Sequence, residues 1–271
     1  MNGITDYYDR HREREWERLD RRHRMEFALT MRSLKEHLPA APARVLDVGG
    51  GPGRYAIALA QLGHRVTLLD AAPGCLDLAR RKAAEAEVQL AAVESGDARD
   101  LSRFKDETFD AVLLMGPLYH LIEETDRRAA LREGRRVLRP GGLVFAAFLT
   151  RFAPIRAMAK ESPEWPLENQ QRFARILAEG VYQSAPGEEG FPTAYYVHPT
   201  EIKPLMESEG FETLDLLACE GVVSQVEEKL NELPKQAFEM WADLNYKLGR
   251  DPSVHGGAEH LLYVGRKSMR L

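Results

Sequence analysis

VLDVGGGPGRY, residues 45–55, runs from an apolar stretch into a turn with glycine at four of five consecutive positions, Gly49, Gly50, Gly51 and Gly53. Such a turn lets the backbone bend sharply and lets a ligand approach it without meeting a Cβ. At the carboxyl end of a buried parallel strand, that is where doubly wound sheets bind their ligands. The dinucleotide fingerprint G-x-G-x-x-G does not fit: from Gly49 its third glycine falls on Arg54, and from Gly50 its later glycines fall on Pro52 and Tyr55. No Gly-Lys-Ser/Thr follows either, which excludes a phosphate-binding P-loop.

Outward from this turn the chain alternates. ARVLDV (43–48) reads as a buried strand and 52–62 as a helix, followed by strand RVTLLD (65–70) and helix 74–87. VQLAAV (88–93), FDAVLL (109–114) and LVFAAFL (143–149) read as further strands, with a helix over about 126–138 ended by Arg139-Pro140-Gly141-Gly142. Continuous apolar strands alternating with helices predict an α/β fold with a mostly parallel sheet covered on both faces. The proline-rich stretch 151–198 breaks the rhythm, with one helix expected over Leu167–Glu179. Helix 200–209, strand FETLDLL (211–217), a helical stretch 225–248 broken near Pro234, and strand HLLYVG (260–265) then complete a seven-stranded, doubly wound, Rossmann-like sheet. Before the sheet, Trp16, Leu19, His23, Phe27, Thr30, Leu34 and Leu38 recur at the three- and four-residue steps of one helix face.

Composition narrows the function classes. With 44% hydrophobic and 29% charged residues, the 271-residue chain reads as an ordinary globular protein. A net charge of −5 argues against a nucleic-acid partner. The seven arginines of Arg10–Arg24 alternate with four acidic residues, as on a solvated helix face. Cys75 and Cys219 are the two cysteines and lack metal-like spacing, so no metal and no disulfide framework is expected. No apolar run is long enough to span a membrane, and a cytoplasmic location is expected.

What does fit the turn is Asp-x-Gly-x-Gly-x-Gly, on Asp47, Gly49, Gly51 and Gly53. Asp70 ends the next strand, 23 residues after Asp47. SGDARDL (95–101) follows the third strand and MGPLYHL (115–121) the fourth. In this order the motifs resemble the class I S-adenosylmethionine-dependent methyltransferases, over about residues 43–150 and more loosely beyond. The resemblance implies S-adenosyl-L-methionine as cofactor, with the glycine loop around its methionine and ribose portions. Asp70 would accept from the ribose hydroxyls, which are donors. Asp97 would accept from the adenine amino group, with Ala98 beside the ring and Met115 to His120 at the reactive end.

The resemblance also divides the chain into an N-terminal helical lid (1–42), the cofactor-binding core (43–150), an inserted acceptor or cap segment (151–199), and a C-terminal completion of the sheet (200–271). Tyr8 and Arg21 are the lid residues expected at the cofactor. Because the sulfonium is a strong leaving group, few residues need do chemistry beyond aligning a nucleophile. His120, Tyr119 and Tyr196 are the candidates for orienting the acceptor or taking its proton. The expected function is methyl transfer to a small-molecule acceptor, with no nucleic-acid or membrane partner and room for a homodimer. The alternative is closure of the cofactor's aminobutyrate tail to azetidine-2-carboxylate with release of methylthioadenosine, which needs the same grip on adenosine.

Overall fold

The computed structural model describes residues 2–184 and 191–268. Seven strands form the main sheet: β1 (Arg44–Val48), β2 (Arg65–Asp70), β3 (Ala92–Ser95), β4 (Phe109–Leu114), β5 (Leu138–Leu149), β8 (Phe211–Ala218) and β9 (His260–Lys267). Between β5 and β8, β6 (Val181–Tyr182) and β7 (Ala194–Tyr195) pair as a separate short ribbon. The main order is β3-β2-β1-β4-β5-β9-β8, and β9 alone in it runs antiparallel to its neighbours. The doubly wound, mostly parallel sheet anticipated from the apolar runs is therefore the architecture observed.

β1 pairs with both β2 and β4, and the strand order reverses there. The loops leaving β1 and β4 diverge to opposite faces at that point and open the crevice in which ligands of such sheets bind. Alternation along the strands divides the core. Val45, Leu113 and Phe145 face one layer with Met25, Leu29, Ile57 and Leu76. Leu46, Val112, Leu114 and Val144 face the other with Leu131, Val137, Ile202 and Met206.

Two sequence expectations shift. The third strand begins at Ala92 and not at Val88, because Glu87 and Val88 still close the helix before them. The Val88 amide bonds to the Ala83 carbonyl, and Glu87 takes φ 55°. The single N-terminal helix face divides into α1 (Asn2–Arg21) and α2 (Arg24–His37), broken where the amides of Arg22 and His23 both reach the Arg18 carbonyl. α2 buries Met25, Leu29 and Leu34 completely. The segment anticipated as a lid over 1–42 thus holds one helix built into the core and one, α1, laid across the crevice. α1 is tied to the start of the helix Pro73–Glu85, where Asp9 accepts the Gly74 amide at 2.7 Å.

The 151–199 segment forms the helices Ala153–Glu161, Trp165–Glu168 and Gln170–Glu179 before the β6–β7 ribbon. It sits over the same end of the sheet as α1. No helix among the described residues is long and apolar enough to cross a membrane.

Candidate active site

The turn after β1 is built as its glycines require. Gly49, Gly51 and Gly53 all have positive φ, and a Cβ on Gly49 would lie 2.5 Å from the Pro117 ring. Gly51 faces open space, so its backbone forms cavity wall directly. Its amide donates to Asp70 Oδ2 at 2.7 Å, and the Ala72 amide donates to Oδ1 at 2.8 Å. Those two bonds fix the carboxylate at the end of β2 and leave it lone pairs for further donors. Burial raises the Asp70 pKa, and the Ala72 and Gly51 amides work against that rise.

One cavity gathers these groups. Its wall includes Gly49, Gly51, Asp70, Asp97, Ala98 and Met115 from the strand ends, with Tyr8 from α1. Tyr119 and His120 close it, from the four-residue helix Pro117–His120 that follows β4. Burial works against the Asp97 charge, but hydrogen bonds from the Arg99 guanidinium and amide hold its carboxyl below the ordinary value.

Three residues expected at the cofactor lie elsewhere. Asp47 is fully buried beneath the loop, beside the Ala56 amide and outside the cavity lining. Gly53 caps the following helix and packs against Ala79. Arg21 is exposed, pairs with Glu17 at 3.4 Å, and belongs to a second cavity. Tyr196, the third candidate for acceptor chemistry, is also buried on that second cavity, packed with Leu149 and Ala194 and against Tyr119 and Tyr182.

Burial, with the charge of Asp70 added, pushes Asp47 up to about 7. A carboxyl whose folded pKa is raised holds its proton in the folded state while the unfolded chain has lost it. Stability therefore falls as pH rises from the unfolded value of 3.8 to about 7 and stays low above it. Asp47→Asn is expected to remove that decline, a gain of up to about 4 kcal/mol at pH 8 relative to pH 4. Urea unfolding at both values measures it, and an unchanged pH dependence would show that Asp47 is ionised at no such cost.

The second cavity has a volume of about 900 Å³. Tyr7, Trp165, Phe173, Tyr182, Phe191 and Tyr196 give it aromatic walls. Tyr8, Glu15, Arg18 and Tyr119 line both cavities and form the boundary between them. Two hydrogen bonds organise that boundary. Tyr8 Oη lies 2.6 Å from His120 Nε2, and His120 Nδ1 lies 3.4 Å from the Thr193 carbonyl. A carbonyl only accepts, so Nδ1 carries the ring proton and Nε2 accepts from the Tyr8 hydroxyl. Burial pushes the imidazole down to about 4, so it is uncharged at neutral pH.

Arg18 and Glu15 escaped the sequence reading. Arg18 donates to Glu15 at 2.9 Å and to Glu26 at 2.6 Å, and it is the cation at the junction of the cavities. A signal was present in α1. Ile4, Tyr8, Glu15 and Leu19 recur at helical steps, and all four line the first cavity.

Known proteins share part of the sequence and the fold. Residues 45–142 match the family model described as "Methyltransferase domain". The ubiquinone biosynthesis O-methyltransferase of Xanthomonas oryzae pv. oryzae (strain PXO99A) is 36% identical over 146 residues, 54% of this chain and 56% of that one. The matched region thus spans little more than half the length of this curated relative. Among solved structures, a SAM-dependent methyltransferase from Methanosarcina mazei superposes with a TM-score of 0.62 at 18% identity, covering 88% of this chain and 98% of the other. Another from Thermotoga maritima gives 0.58 at 19%, covering 98% of this chain and all of its own. At those identities the likeness is one of fold.

Proposed function

From a chain that carries the class I S-adenosylmethionine-dependent methyltransferase domain, and with it that cofactor, we propose methyl transfer to a small, largely aromatic acceptor. The observation that carries this reading is the pair of cavities meeting at Tyr8, Glu15, Arg18 and Tyr119. One cavity offers the polar groups a nucleoside needs, and the other offers aromatic walls and enough volume for a second molecule. The curated relatives, named for O-methylation in ubiquinone biosynthesis, support a hydroxyl as the group methylated.

The residues present suit the cofactor. Asp70 is an acceptor held by two amides at the place where ribose hydroxyls would donate, and Asp97 is the acceptor assigned to the adenine amino group. Ala98 and Met115 would flank the adenosine, while the Gly49–Gly51 backbone leaves room for the tail. When bound, the cofactor supplies an electrophilic methyl on a positively charged sulfur. Tyr8 and Tyr119 turn aromatic rings toward the cavity, which favours a cation and excludes water. His120 Nε2, uncharged, on the first cavity and bonded to the boundary residue Tyr8, is the atom assigned to hold the proton that a hydroxyl acceptor gives up.

Incubating the protein with S-adenosylmethionine and a panel of phenols and catechols, followed by mass spectrometry, tests this reading. S-adenosylhomocysteine together with a methylated phenol, each dependent on the acceptor, is the expected result. Methylthioadenosine formed without any acceptor would overturn it in favour of ring closure on the aminobutyrate tail.

A further inference from the structure

Six ionisable side chains converge at the end of the larger cavity formed by the α1–α2 elbow. His23 comes from the break between those helices and Glu26 from the first turn of α2. Glu220 follows β8, Glu227 opens the short helix Glu227–Asn231, and Glu259 and His260 lead into β9. Glu26, Glu220, Glu227 and His260 are buried, while His23, Glu259 and His260 line the cavity.

Ligand atoms of His23, Glu26 and Glu220 lie within 4.8 Å of one another. Some point is therefore within about 2.8 Å of all three, against about 2.1 Å for a zinc–nitrogen or zinc–oxygen bond. His23 Nδ1 is buried without a hydrogen bond, and its nearest recorded carboxylate oxygen, on Glu227, is 3.7 Å away. The carboxylates are held from behind. Glu220 Oε2 accepts the amides of Glu259 and His260 at 3.1 and 2.9 Å, and His260 Nδ1 lies 2.6 Å from Oε1. Arg18 grips Glu26, and the Met25 amide donates to Glu227 at 3.2 Å.

Three buried carboxylates and the half-buried Glu259 thus share one guanidinium and two imidazoles, of which only the Arg18 guanidinium is permanently charged. Uncompensated carboxylates in such a place are costly. An ion pair network alone leaves the His23 nitrogen no closer partner than Glu227 at 3.7 Å. A ligand that brings positive charge and accepts lone pairs from nitrogen and oxygen together answers both.

We propose that this cluster binds one divalent transition-metal ion through His23, Glu26 and Glu220. The mixed imidazole and carboxylate set suits zinc, iron(II) or manganese(II) better than the all-oxygen shells of magnesium or calcium. His260, Arg18 and the backbone amides orient the ligating carboxylates. An ion there joins the α1–α2 elbow to the segment that follows β8, which His260 of β9 holds through Glu220. Cysteine and histidine spacing gave no hint of it, because the three ligands are drawn from two distant parts of the chain.

The test titrates Mn²⁺ and Zn²⁺ separately into the EDTA-treated full chain by calorimetry, without cofactor or acceptor, alongside His23→Ala and Glu220→Gln. One saturable equivalent is expected, weakened by about tenfold or more in each variant. Either ion should raise the melting temperature of the wild type and leave the variants unmoved. If Glu220→Gln does not fold, His23→Ala decides, since His23 is partly exposed and makes no hydrogen bond through Nδ1. Absence of saturable binding, or equal binding by wild type and His23→Ala, overturns the proposal. Because cofactor and acceptor are absent from the titration, neither result depends on methyl transfer.

Discussion

Asp70→Ala is expected to weaken S-adenosylhomocysteine binding by about 100-fold or more. The carboxylate already accepts the Gly51 and Ala72 amides, and the ribose hydroxyls would be its third and fourth donors. Hydrogen bonds to a charged group contribute about 1.5–3 kcal/mol each, so losing two costs about 3 kcal/mol or more. Part of the loss is indirect, because the same substitution releases the amide that positions Gly51 in the cavity wall. Asp70→Asn separates the two effects. It keeps an acceptor for one amide but presents a donor where a donor already stands, so it should fall between wild type and alanine. Calorimetric titration of the three proteins measures this, with circular dichroism to confirm that each is folded. Affinity within about threefold of wild type for Asp70→Ala would remove the ribose assignment.

The residues at the strand ends were legible because a parallel sheet has a fixed rule for where its ligands lie. Once residues 45–48, 65–70 and 109–114 read as strands, Asp70 and Met115 had to sit at their carboxyl ends, and the structure brings both to one cavity with Gly49 and Gly51. Asp97 and Ala98 line it too, although the third strand starts four residues later than the apolar run 88–93 indicates. The turn after it is anchored by the Gly96 amide on the Asp70 carbonyl, whatever precedes. The contribution of α1 was much less legible. Alternating Arg and Glu between residues 10 and 24 looks like a solvated face, and Arg21 is indeed exposed. Arg18, one turn earlier, is drawn inward because Glu26 on the next helix offers it a buried partner. No local pattern announces a partner that arrives through a helix break. The same limit applies to Tyr196, placed on the second cavity by the pairing of β6 with β7 and not by any spacing along the chain.

His120→Ala is expected to lower turnover of a hydroxylated aromatic acceptor by about 10²- to 10⁴-fold, the range for removing a positioned base. Burial is what fits the imidazole for that task. Its pKa is pushed from 6.5 down to about 4, so Nε2 keeps its lone pair throughout the neutral range. A histidine with a depressed folded pKa contributes full stability above 6.5 and loses it as pH falls toward 4. The acid limb of turnover controlled by this group should accordingly lie near pH 4, well below that of a solvent-exposed histidine. Tyr8 refines the prediction. Its hydroxyl now occupies Nε2 at 2.6 Å, so an acceptor must take its place or pass its proton through it. If the acceptor displaces Tyr8, Tyr8→Phe should leave turnover within about tenfold of wild type. If the proton passes through Tyr8, that variant should fall as far as His120→Ala. Acceptor acidity provides the discriminating readout, because a phenol ionised at the assay pH arrives without the proton a base must take. The penalty for His120→Ala should then shrink from a nitrophenol-like acceptor's more basic analogues toward the nitrophenol itself. A penalty that stays constant across the series, with S-adenosylhomocysteine affinity lost in parallel, would make His120 part of the cavity wall and not the base.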